Sequence, residues 1–333
     1  MRSESNVAQL KPAPEPRKLV TFTRLDQIEA KPLDAIVDGW VYADTLGCTI
    51  GKSGSCKSFF MQGVVPSIAL GVPYMGLRVK AGAVFYLGGE GLGGIRKRFD
   101  GWAKYTGLDL TGAPIYVASG LPSLADEINA VAVRDEILEV AEQLFFEAGS
   151  MEPALVVVDT VARAMAGADE NSAADMGRLI GAMDIIRSQF RCAVELIHHT
   201  GHGENTRERA RGSSALYAAM DAERLVTSDG GMVTVRSTKQ KDWSKPADLF
   251  LDRHVVEVDI GEQRETTLVL DKACGPGAAE QARQLRMEVV RLKADGVSIR
   301  GIAGELGISK SKVEHELAMH AKASRYEEAS RGA

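Results

Sequence analysis

Residues 49–60, TIGKSGSCKSFF, place a lysine and a serine at the end of a short glycine- and serine-rich stretch. Gly51 is followed by four residues and then by Cys56, Lys57 and Ser58, one residue away from the pattern G-x-x-x-x-G-K-[ST]. In that pattern, backbone N–H groups surround the phosphates of a nucleotide, the lysine reaches the β- and γ-phosphates, and the serine holds Mg²⁺. The alternative is a βα turn with a coincidental Lys-Ser pair. The residues predicted to bind ATP and Mg²⁺ are Gly51, Gly54, Ser55, Cys56, Lys57, Ser58, Phe59 and Asp159.

Cys56 stands where the pattern has its second glycine. A cysteine N–H points in the same direction as a glycine N–H, but the Cβ atom is strained if the position needs a positive φ angle. Such strain costs about 1–3 kcal/mol, which a tight phosphate site absorbs, so we expect Cys56 to be compatible with nucleotide binding. Because Lys57 is cationic and a helix begins here, we also expect a lowered pKa for the Cys56 thiol and protection of this thiol by ATP against alkylation.

Acidic and histidine residues follow three further apolar runs. Glu90 follows VFYLGG, Asp159 ends LVVVD, and His198 and His199 end ELIHH. We expect Glu90 to orient or deprotonate an attacking water, Asp159 to hold Mg²⁺ through water, and the two histidines to sense the γ-phosphate. Each acid alone could instead cap a helix or lie in a solvated turn, and the histidines, with His202 nearby, could bind a metal.

The elements that must position these residues alternate between strands and helices, which favours an α/β sheet. Continuous apolar runs are typical of central strands in a parallel sheet covered on both faces. The carboxyl ends of such strands meet at one edge, so the motifs should converge on one crevice. Three later runs should extend or edge the sheet. The predicted strands are residues 82–90, 153–160, 192–200, 232–240, 248–260 and 265–272, and the predicted helices are residues 126–149 and 172–190.

In order and spacing, these motifs resemble one family over about residues 35–245. The segments that carry the resemblance are GKSGSCKSFF, GLRVKAGAVFYLGGEGLGGIRKRFDGW, ALVVVDTVARAMAGADENSAADM, IHHTGHG and RARGSSALYAAMDAERLV. They are similar to the RecA-like P-loop ATPases of the plasmid RepA helicase type, which also occur in prophages and mobile elements. The resemblance implies a ring, usually a hexamer, with ATP between subunits. It implies that Glu90 is the catalytic glutamate, Asp159 the Walker B aspartate, and His198 and His199 the histidine pair that ends the next strand.

The resemblance also implies which cations act from a neighbouring subunit. Arg211 matches the arginine that a neighbour inserts into the site, and Lys239 and Lys241 match positions of further trans cations. An arginine near the γ-phosphate stabilises developing charge and contributes roughly 10³ to 10⁵ in rate. The segment GHGENTRERARG faces the central channel in the family, where Arg207 and Arg209 would suit single-stranded DNA. The alternative is a solvated basic loop formed by these three arginines.

A second pattern, IRGIAGELGISKSKVEHEL, lies near the C-terminus. Apolar residues recur at helical spacing, Gly307 offers a turn, and Ser309 is placed to cap the following helix. The segment resembles the helix-turn-helix of resolvases and transcription regulators, in which the second helix enters the DNA major groove. The alternative is a helical hairpin for subunit contact. The residues expected to face DNA are Lys310, Ser311, Lys312 and His315.

Composition limits the class of protein. The chain has 333 residues, 45% hydrophobic and 26% charged, as is typical of soluble globular proteins. The net charge of −5 excludes a general cationic coat, so contact with nucleic acid must be local. Residues 280–333 hold ten Lys and Arg against eight Asp and Glu, a net charge of +2. Four cysteines without C-x-x-C spacing, an N-terminus without an apolar core and no apolar run of about 18 residues predict a cytoplasmic protein without a membrane partner.

We therefore predict three segments: a flexible arm over residues 1–18, a RecA-like ATPase core with a mostly parallel central sheet over 19–275, and a small all-α helix-turn-helix domain over 276–333. The predicted function is an ATP-hydrolysing DNA motor, either a hexameric replicative helicase or a replication-initiation ATPase of a mobile element. It would bind single-stranded DNA in a ring channel and double-stranded DNA through the helix-turn-helix. The alternatives are an ATP-switched DNA-binding regulator and a partner-loading scaffold that does not unwind DNA.

Overall fold

The computed structural model divides the chain into two units, Met1–Leu33 and Asp34–Ala333. In the first unit, Leu25–Gln27 forms a single 3-10 turn. Every other element of the described residues lies in the second unit. The predicted arm over residues 1–18 lies outside the described residues, and the predicted segment boundaries stay predictions. The structure describes residues 22–30, 32–89, 91–148, 152–201, 210–229, 231–273 and 276–331.

The described part of the second unit contains eleven strands and nine helices. The strands are β1 (Ala35–Val37), β2 (Val41–Tyr42), β3 (Leu46–Gly51), β4 (Ala83–Gly88), β5 (Ile115–Val117), β6 (Pro153–Asp159), β7 (Ala193–His199), β8 (Ala222–Asp229), β9 (Met232–Gln240), β10 (Leu249–Ile260) and β11 (Gln263–Lys272). The helices are α1 (Lys57–Leu70), α2 (Leu92–Thr106), α3 (Glu127–Ala148), α4 (Val161–Ala164), α5 (Ala173–Phe190), α6 (Ser214–Ala219), α7 (Pro276–Ala294), α8 (Ile299–Glu305) and α9 (Lys310–Arg331).

Nine strands form one sheet in the order β11-β10-β9-β8-β3-β7-β6-β4-β5. The pairs from β8 through to β5 are parallel, whereas β9, β10 and β11 join by antiparallel pairing. The fold is therefore an α/β, RecA-like P-loop core with a mostly parallel central sheet, as predicted. The three late runs extend that sheet beyond β8. None of the described helices has the length and apolar character needed to cross a bilayer.

Two hydrophobic clusters cover the faces of the central strands, and alternate residues contribute to each. In β3, Leu46, Cys48 and Ile50 pack into the cluster that includes residues of α3 and α5. Thr49 points to the other face, where its hydroxyl lies 3.9 Å from the sulfur of Met61 in α1. Burying an aliphatic side chain contributes about 1.5–3 kcal/mol, so the two-sided burial explains why these strands are continuous apolar runs.

A buried ion pair interrupts this apolar interior beside β3. Arg224 Nη1 donates to Glu195 Oε2 at 2.6 Å, and Nη2 donates to the carbonyl oxygen of Trp40. Both charged side chains are almost completely buried. Gly47 lies between their strands, and a Cβ atom there would overlap the Glu195 carboxylate. Burial raises the pKa of Glu195 and the adjacent Arg224 opposes that rise, so the carboxylate depends on its partner.

The variant Arg224→Met leaves the Glu195 carboxylate buried without its cation. We expect the free energy of unfolding to fall by about 3–5 kcal/mol, because an uncompensated buried charge is strongly destabilising. The chain has three tryptophans: Trp40 between β1 and β2, Trp102 on α2, and Trp243 between β9 and β10. Urea unfolding followed by tryptophan fluorescence therefore measures this change.

The double variant Glu195→Leu/Arg224→Met is the matched control, because it removes both charges. We expect it to be more stable than the single variant. A double variant that is as unstable as Arg224→Met would show that the unpaired carboxylate is not the cause of the loss.

Helices α7, α8 and α9 form a separate small cluster with its own buried residues. Gly307 has a φ of +65° in the turn before α9, and the Ser309 hydroxyl accepts a hydrogen bond from the Lys312 N–H at 3.2 Å. Ser298 caps α8 in the same way through the Gly301 N–H. The predicted apolar face and serine cap are therefore confirmed. The side chains that pack together include Val289, Leu292, Ile299, Ile302, Ala303, Leu306, Val313 and Leu317.

Candidate active site

The loop between β3 and α1 folds back on itself through two left-handed residues. Gly54 has a φ of +77° and Cys56 a φ of +72°. The Ser55 N–H donates to the carbonyl oxygen of Lys52 at 3.2 Å, which closes the turn. Alternating backbone conformations of this kind turn successive N–H groups towards one point, and the start of α1 adds its dipole. The loop is thus built as an anion-binding turn.

Cys56 adopts the backbone conformation that strains a non-glycine residue. The position that the motif gives to its second glycine therefore does have a positive φ angle in this chain. The predicted fall in thiol pKa is wrong: burial raises the pKa of Cys56, and the opposing effects of Arg253 and Lys57 are smaller. Desolvation of the half-buried thiol outweighs the neighbouring positive charges.

Lys57 is buried at the first position of α1, with only 5% of its surface exposed. Its Nζ donates to the carbonyl oxygens of Gly51 at 2.9 Å and Lys52 at 2.7 Å. Within the described residues, no carboxylate lies at ion-pair distance from this ammonium. Burial lowers the pKa of Lys57, while Asp159 acts in the opposite direction. A buried cation whose acceptors carry no negative charge is an incomplete site that an anion would complete.

Asp159 lies at the carboxyl end of β6, level with Gly88 of β4. The Tyr86 hydroxyl donates to Asp159 Oδ2 at 2.6 Å, and the Asp159 carbonyl accepts the Gly89 N–H at 2.7 Å. Burial, and then the adjacent carboxylate, raise the pKa of Tyr86, so this hydroxyl stays protonated and keeps donating. One carboxylate oxygen is thus fixed by tyrosine and the other is left for a ligand.

The histidine pair lies at the end of β7, where His198 and His199 are level with Ile50 and Gly51 of β3. His198 Nε2 lies 2.7 Å from the carbonyl oxygen of Arg211 and must donate to it. His198 Nδ1 is buried without a hydrogen-bond partner among the described residues, which fits a neutral ring. His199 Nδ1 lies 3.3 Å from Lys57 Nζ and accepts from it.

Burial lowers the pKa of both histidines, so both are neutral at pH 7. The cations Lys57 and Arg211 also lower the pKa of His199, while the carboxylates of Asp159 and Glu170 oppose this change. Among the described residues, no cluster of three or more His, Cys, Asp or Glu side chains is arranged to hold a metal ion.

Arg211 lies against the end of β7 in its own chain. Its backbone N–H donates to the His199 carbonyl at 2.9 Å, and its guanidinium pairs with Glu170. The structure thus brings Arg211 to the histidine pair, and its predicted action on a neighbouring subunit stays a prediction. Glu90, Arg207 and Arg209 fall outside the described residues.

The other predicted trans cations are Lys239 and Lys241. Neither lies beside this chain's phosphate loop, which is the turn between β3 and α1. In the register of β8 and β9, Lys239 lies opposite Glu223, near the start of β8. This end of the strands is the one away from the carboxyl end of β3. Its ammonium donates to the carbonyl oxygen of Tyr217 at 2.5 Å, and Lys241 lies 3.4 Å from Asp221. Any role of these lysines in catalysis would therefore concern another subunit's site.

The residues predicted to face DNA lie in the first two turns of α9 and are exposed: Lys310, Ser311, Lys312 and His315. Lys312 Nζ lies 2.9 Å from Glu316 Oε1, and the buried Glu316 carboxylate also accepts from Arg286 at 2.8 Å. Part of the positive charge on this surface is therefore neutralised within the helical cluster.

Three site residues are not evident from the sequence motifs. Tyr86 holds Asp159 from the neighbouring strand, Glu170 pairs with Arg211, and Arg253 of β10 lies against the Cys56 thiol. Tyr86 could have been noticed, because it lies on the strand that leads to Glu90. Glu170 lies within one of the segments that carry the resemblance, but no role was predicted for it. Arg253 follows no recognisable pattern, since it reaches the site from a distant part of the chain.

A comparison with known families places this arrangement in a class. The AAA domain family model matches residues 11–205, more than half of the 333-residue chain. The chain belongs to this family of P-loop ATPases. Membership implies nucleotide binding and ATP-driven activity, usually with Mg²⁺. No curated protein matches the chain.

The variant Cys56→Gly should relieve the left-handed strain at the loop. We expect the free energy of unfolding to rise by up to about 1–2 kcal/mol, because glycine adopts this conformation without a Cβ clash. Urea unfolding followed by tryptophan fluorescence measures the change. Cys48→Ala, a buried cysteine on β3 outside the loop, serves as the comparison and should not stabilise the protein. A Cys56→Gly variant less stable than the parent would contradict the strain.

Stability should fall as the pH drops below about 6.5, the ordinary pKa of histidine. The folded-state pKa of His198 is lowered, so the unfolded chain binds protons first and each such proton contributes at most about 1.4 kcal/mol per pH unit. The variant His198→Gln should show a shallower loss between pH 7.5 and 5.5 in urea unfolding. His254→Gln, which replaces a histidine on β10, is the control for the loss of a histidine as such. Identical profiles for all three proteins would refute the assignment.

Proposed function

We propose that this protein is an ATP-hydrolysing motor that acts on DNA, as a hexameric replicative helicase or a replication-initiation ATPase of a mobile element. The observation that carries the ATPase part is the convergence of Lys57, Asp159 and His199 at the carboxyl edge of three neighbouring strands. The DNA part is supported by the exposed basic residues of α9 and by the order of motifs along the chain.

The residues present fit a magnesium nucleotide. Lys57 is a buried ammonium without a carboxylate partner among the described residues, and the buried Ser55 hydroxyl likewise has no hydrogen-bond partner there. The amides of residues 51–58 and Lys57 would hold the phosphates, while Ser58 and Asp159 would hold Mg²⁺. Bound Mg²⁺ neutralises charge on phosphate oxygens.

Four further side chains of this protein have separate roles at the site. Tyr86 keeps one oxygen of Asp159 occupied, which orients the carboxylate. Neutral His199 accepts a hydrogen bond from Lys57 and links β7 to the phosphate loop, and the Thr200 N–H donates to the Gly51 carbonyl at 3.2 Å. Glu90, which follows β4 in the sequence, is the proposed residue that orients or deprotonates water. Arg211 is the proposed arginine that stabilises charge at a neighbouring subunit's site.

The C-terminal cluster would bring DNA to the ring. One copy of this cluster has little net charge, and Glu316 neutralises Lys312. Contact with DNA would therefore be weak for one chain and strengthened when several copies act together. The same weakness fits the rival function, an ATP-switched DNA-binding regulator, in which ATP controls assembly and no strand is displaced.

ATP hydrolysis with and without single-stranded DNA, together with strand displacement on a forked duplex, tests this proposal. We expect single-stranded DNA to stimulate turnover and the fork to be unwound. Lys57→Ala should lose nucleotide binding or turnover by at least about 100-fold, because it removes the cation at the phosphates. Glu90→Gln should bind ATP without hydrolysing it. Lys104→Ala, an exposed lysine on α2, is the control and should behave as the parent.

The results separate the candidates. Hydrolysis that ignores DNA, with no strand displacement and with ATP-dependent assembly, would favour the regulator over the motor. A parent protein that binds no magnesium nucleotide by calorimetry would end both readings. Unchanged turnover in Glu90→Gln would remove Glu90 from its role while leaving the ATPase intact.

A further inference from the structure

We propose that Glu170 is a positioning residue for Arg211: it holds the guanidinium by one edge and leaves the other edge for the terminal phosphate of a nucleotide. This inference rests on the proposed function, in which Arg211 stabilises charge during hydrolysis. Glu170 lies in the turn between α4 and α5, within the segment ALVVVDTVARAMAGADENSAADM, and no role was predicted for it from the sequence.

The side-chain geometry is specific. Arg211 Nη2 donates a hydrogen bond to Glu170 Oε2 at 3.0 Å, and Arg211 Nε lies 2.5 Å from Glu170 Oε1 in an ion-pair contact that is not aligned as a hydrogen bond. The carboxylate therefore contacts the Nε–Nη2 edge of the guanidinium. Guanidinium carries five N–H donors in a fixed planar arrangement, and among the described residues no acceptor contacts Nη1 or the second Nη2 hydrogen.

The backbone of Glu170 fixes the same segment a second time. Its carbonyl oxygen accepts the Ser213 N–H at 2.9 Å. Gly212 has a φ of +88°, and a Cβ atom there would lie 2.5 Å from the Glu170 carbonyl oxygen. Only glycine tolerates both this conformation and this close approach. Glu170 thus contacts both the side chain of Arg211 and the backbone of Ser213, two residues later.

The end of β7 holds Arg211 from the other side. The His199 carbonyl accepts the Arg211 N–H at 2.9 Å, and His198 Nε2 donates to the Arg211 carbonyl at 2.7 Å. Thr200 and Ala210 form an isolated antiparallel bridge next to this contact. Arg211 is therefore attached to the strand that neighbours β3, which leads into the phosphate loop. Hydrogen bonds at the end of β7 therefore connect Arg211 to the phosphate loop.

The pair contributes more to orientation than to stability. The side chain of Arg211 is 35% exposed and that of Glu170 is 19% exposed. Ion pairs so open to water contribute little to folding, so variants of Glu170 should fold. Fixing the guanidinium before the reaction removes the loss of side-chain freedom that a free arginine would suffer at the transition state. A misplaced catalytic group can reduce turnover about 100-fold.

A double-mutant cycle tests the inference on the full-length protein. It compares kcat and KM for ATP in the parent, Glu170→Gln, Arg211→Ala and the double variant, with tryptophan fluorescence as the check on folding. We expect Glu170→Gln to lower kcat at least tenfold and to change KM less than twofold. In the Arg211→Ala background, Glu170→Gln should have no further effect on kcat.

Glu257→Gln is the matched control, because it removes an equivalent charge from an exposed pair with Arg264 on the β10–β11 hairpin. It should leave kcat and KM unchanged. Glu170→Asp keeps the charge on a shorter side chain, and its kcat should lie between those of the parent and Glu170→Gln. It replaces Glu170→Gln in the cycle if the glutamine variant does not fold.

The outcomes separate this inference from the function on which it rests. Parent-like kcat in Glu170→Gln would overturn the positioning role even if Arg211→Ala is inactive. Where Arg211→Ala keeps measurable turnover, an equal loss of kcat from Glu170→Gln in both backgrounds would overturn it too. Parent-like turnover in Arg211→Ala, with Lys57→Ala inactive, would overturn the role of Arg211 and of Glu170 while the ATPase stands.

Discussion

The buried ammonium of Lys57 is the interaction on which the site depends. It lies inside the turn it follows, where carbonyl oxygens of Gly51 and Lys52 and the ring of His199 surround it. Each of these partners accepts a hydrogen bond, yet none carries a full negative charge. The loop, α1 and the end of β7 are therefore arranged around a cation whose charge remains to be balanced. Parallel pairing of β3 with β7 makes this possible, because it sets Gly51 level with His199.

Much of the fold follows from local patterns in the sequence. The run at residues 232–240 coincides with β9, and the helix expected over 172–190 coincides with α5 apart from its capping serine. The strand ends that carry Asp159 and the histidines were likewise evident, because burial on both faces produces uninterrupted apolar runs. Periodicity and capping depend on residues close together in the chain, which is why a single sequence is enough to find them.

The pairs that complete the site depend on distant residues and could not be found in this way. Tyr86 with Asp159, and Glu170 with Arg211, join residues that only the folded sheet brings together. The pKa of the Cys56 thiol likewise depends on parts of the fold that are distant in the sequence. Neighbours in the sequence predicted a lowered pKa, whereas burial by the surrounding fold raises it. The apolar face of the C-terminal helices was predictable, but the burial of Glu316 between Lys312 and Arg286 was not.

Cys56 affects which conformations the phosphate loop can adopt before a ligand binds as well as after. Glycine at this position would let the backbone sample many conformations, and binding a ligand would have to freeze them. A Cβ atom narrows that ensemble in advance, while the surrounding turn keeps Cys56 in its left-handed state. Because the surrounding turn holds this state, Cys56 would leave the folded loop fewer alternative conformations than glycine, and less entropy would be lost when phosphates bind.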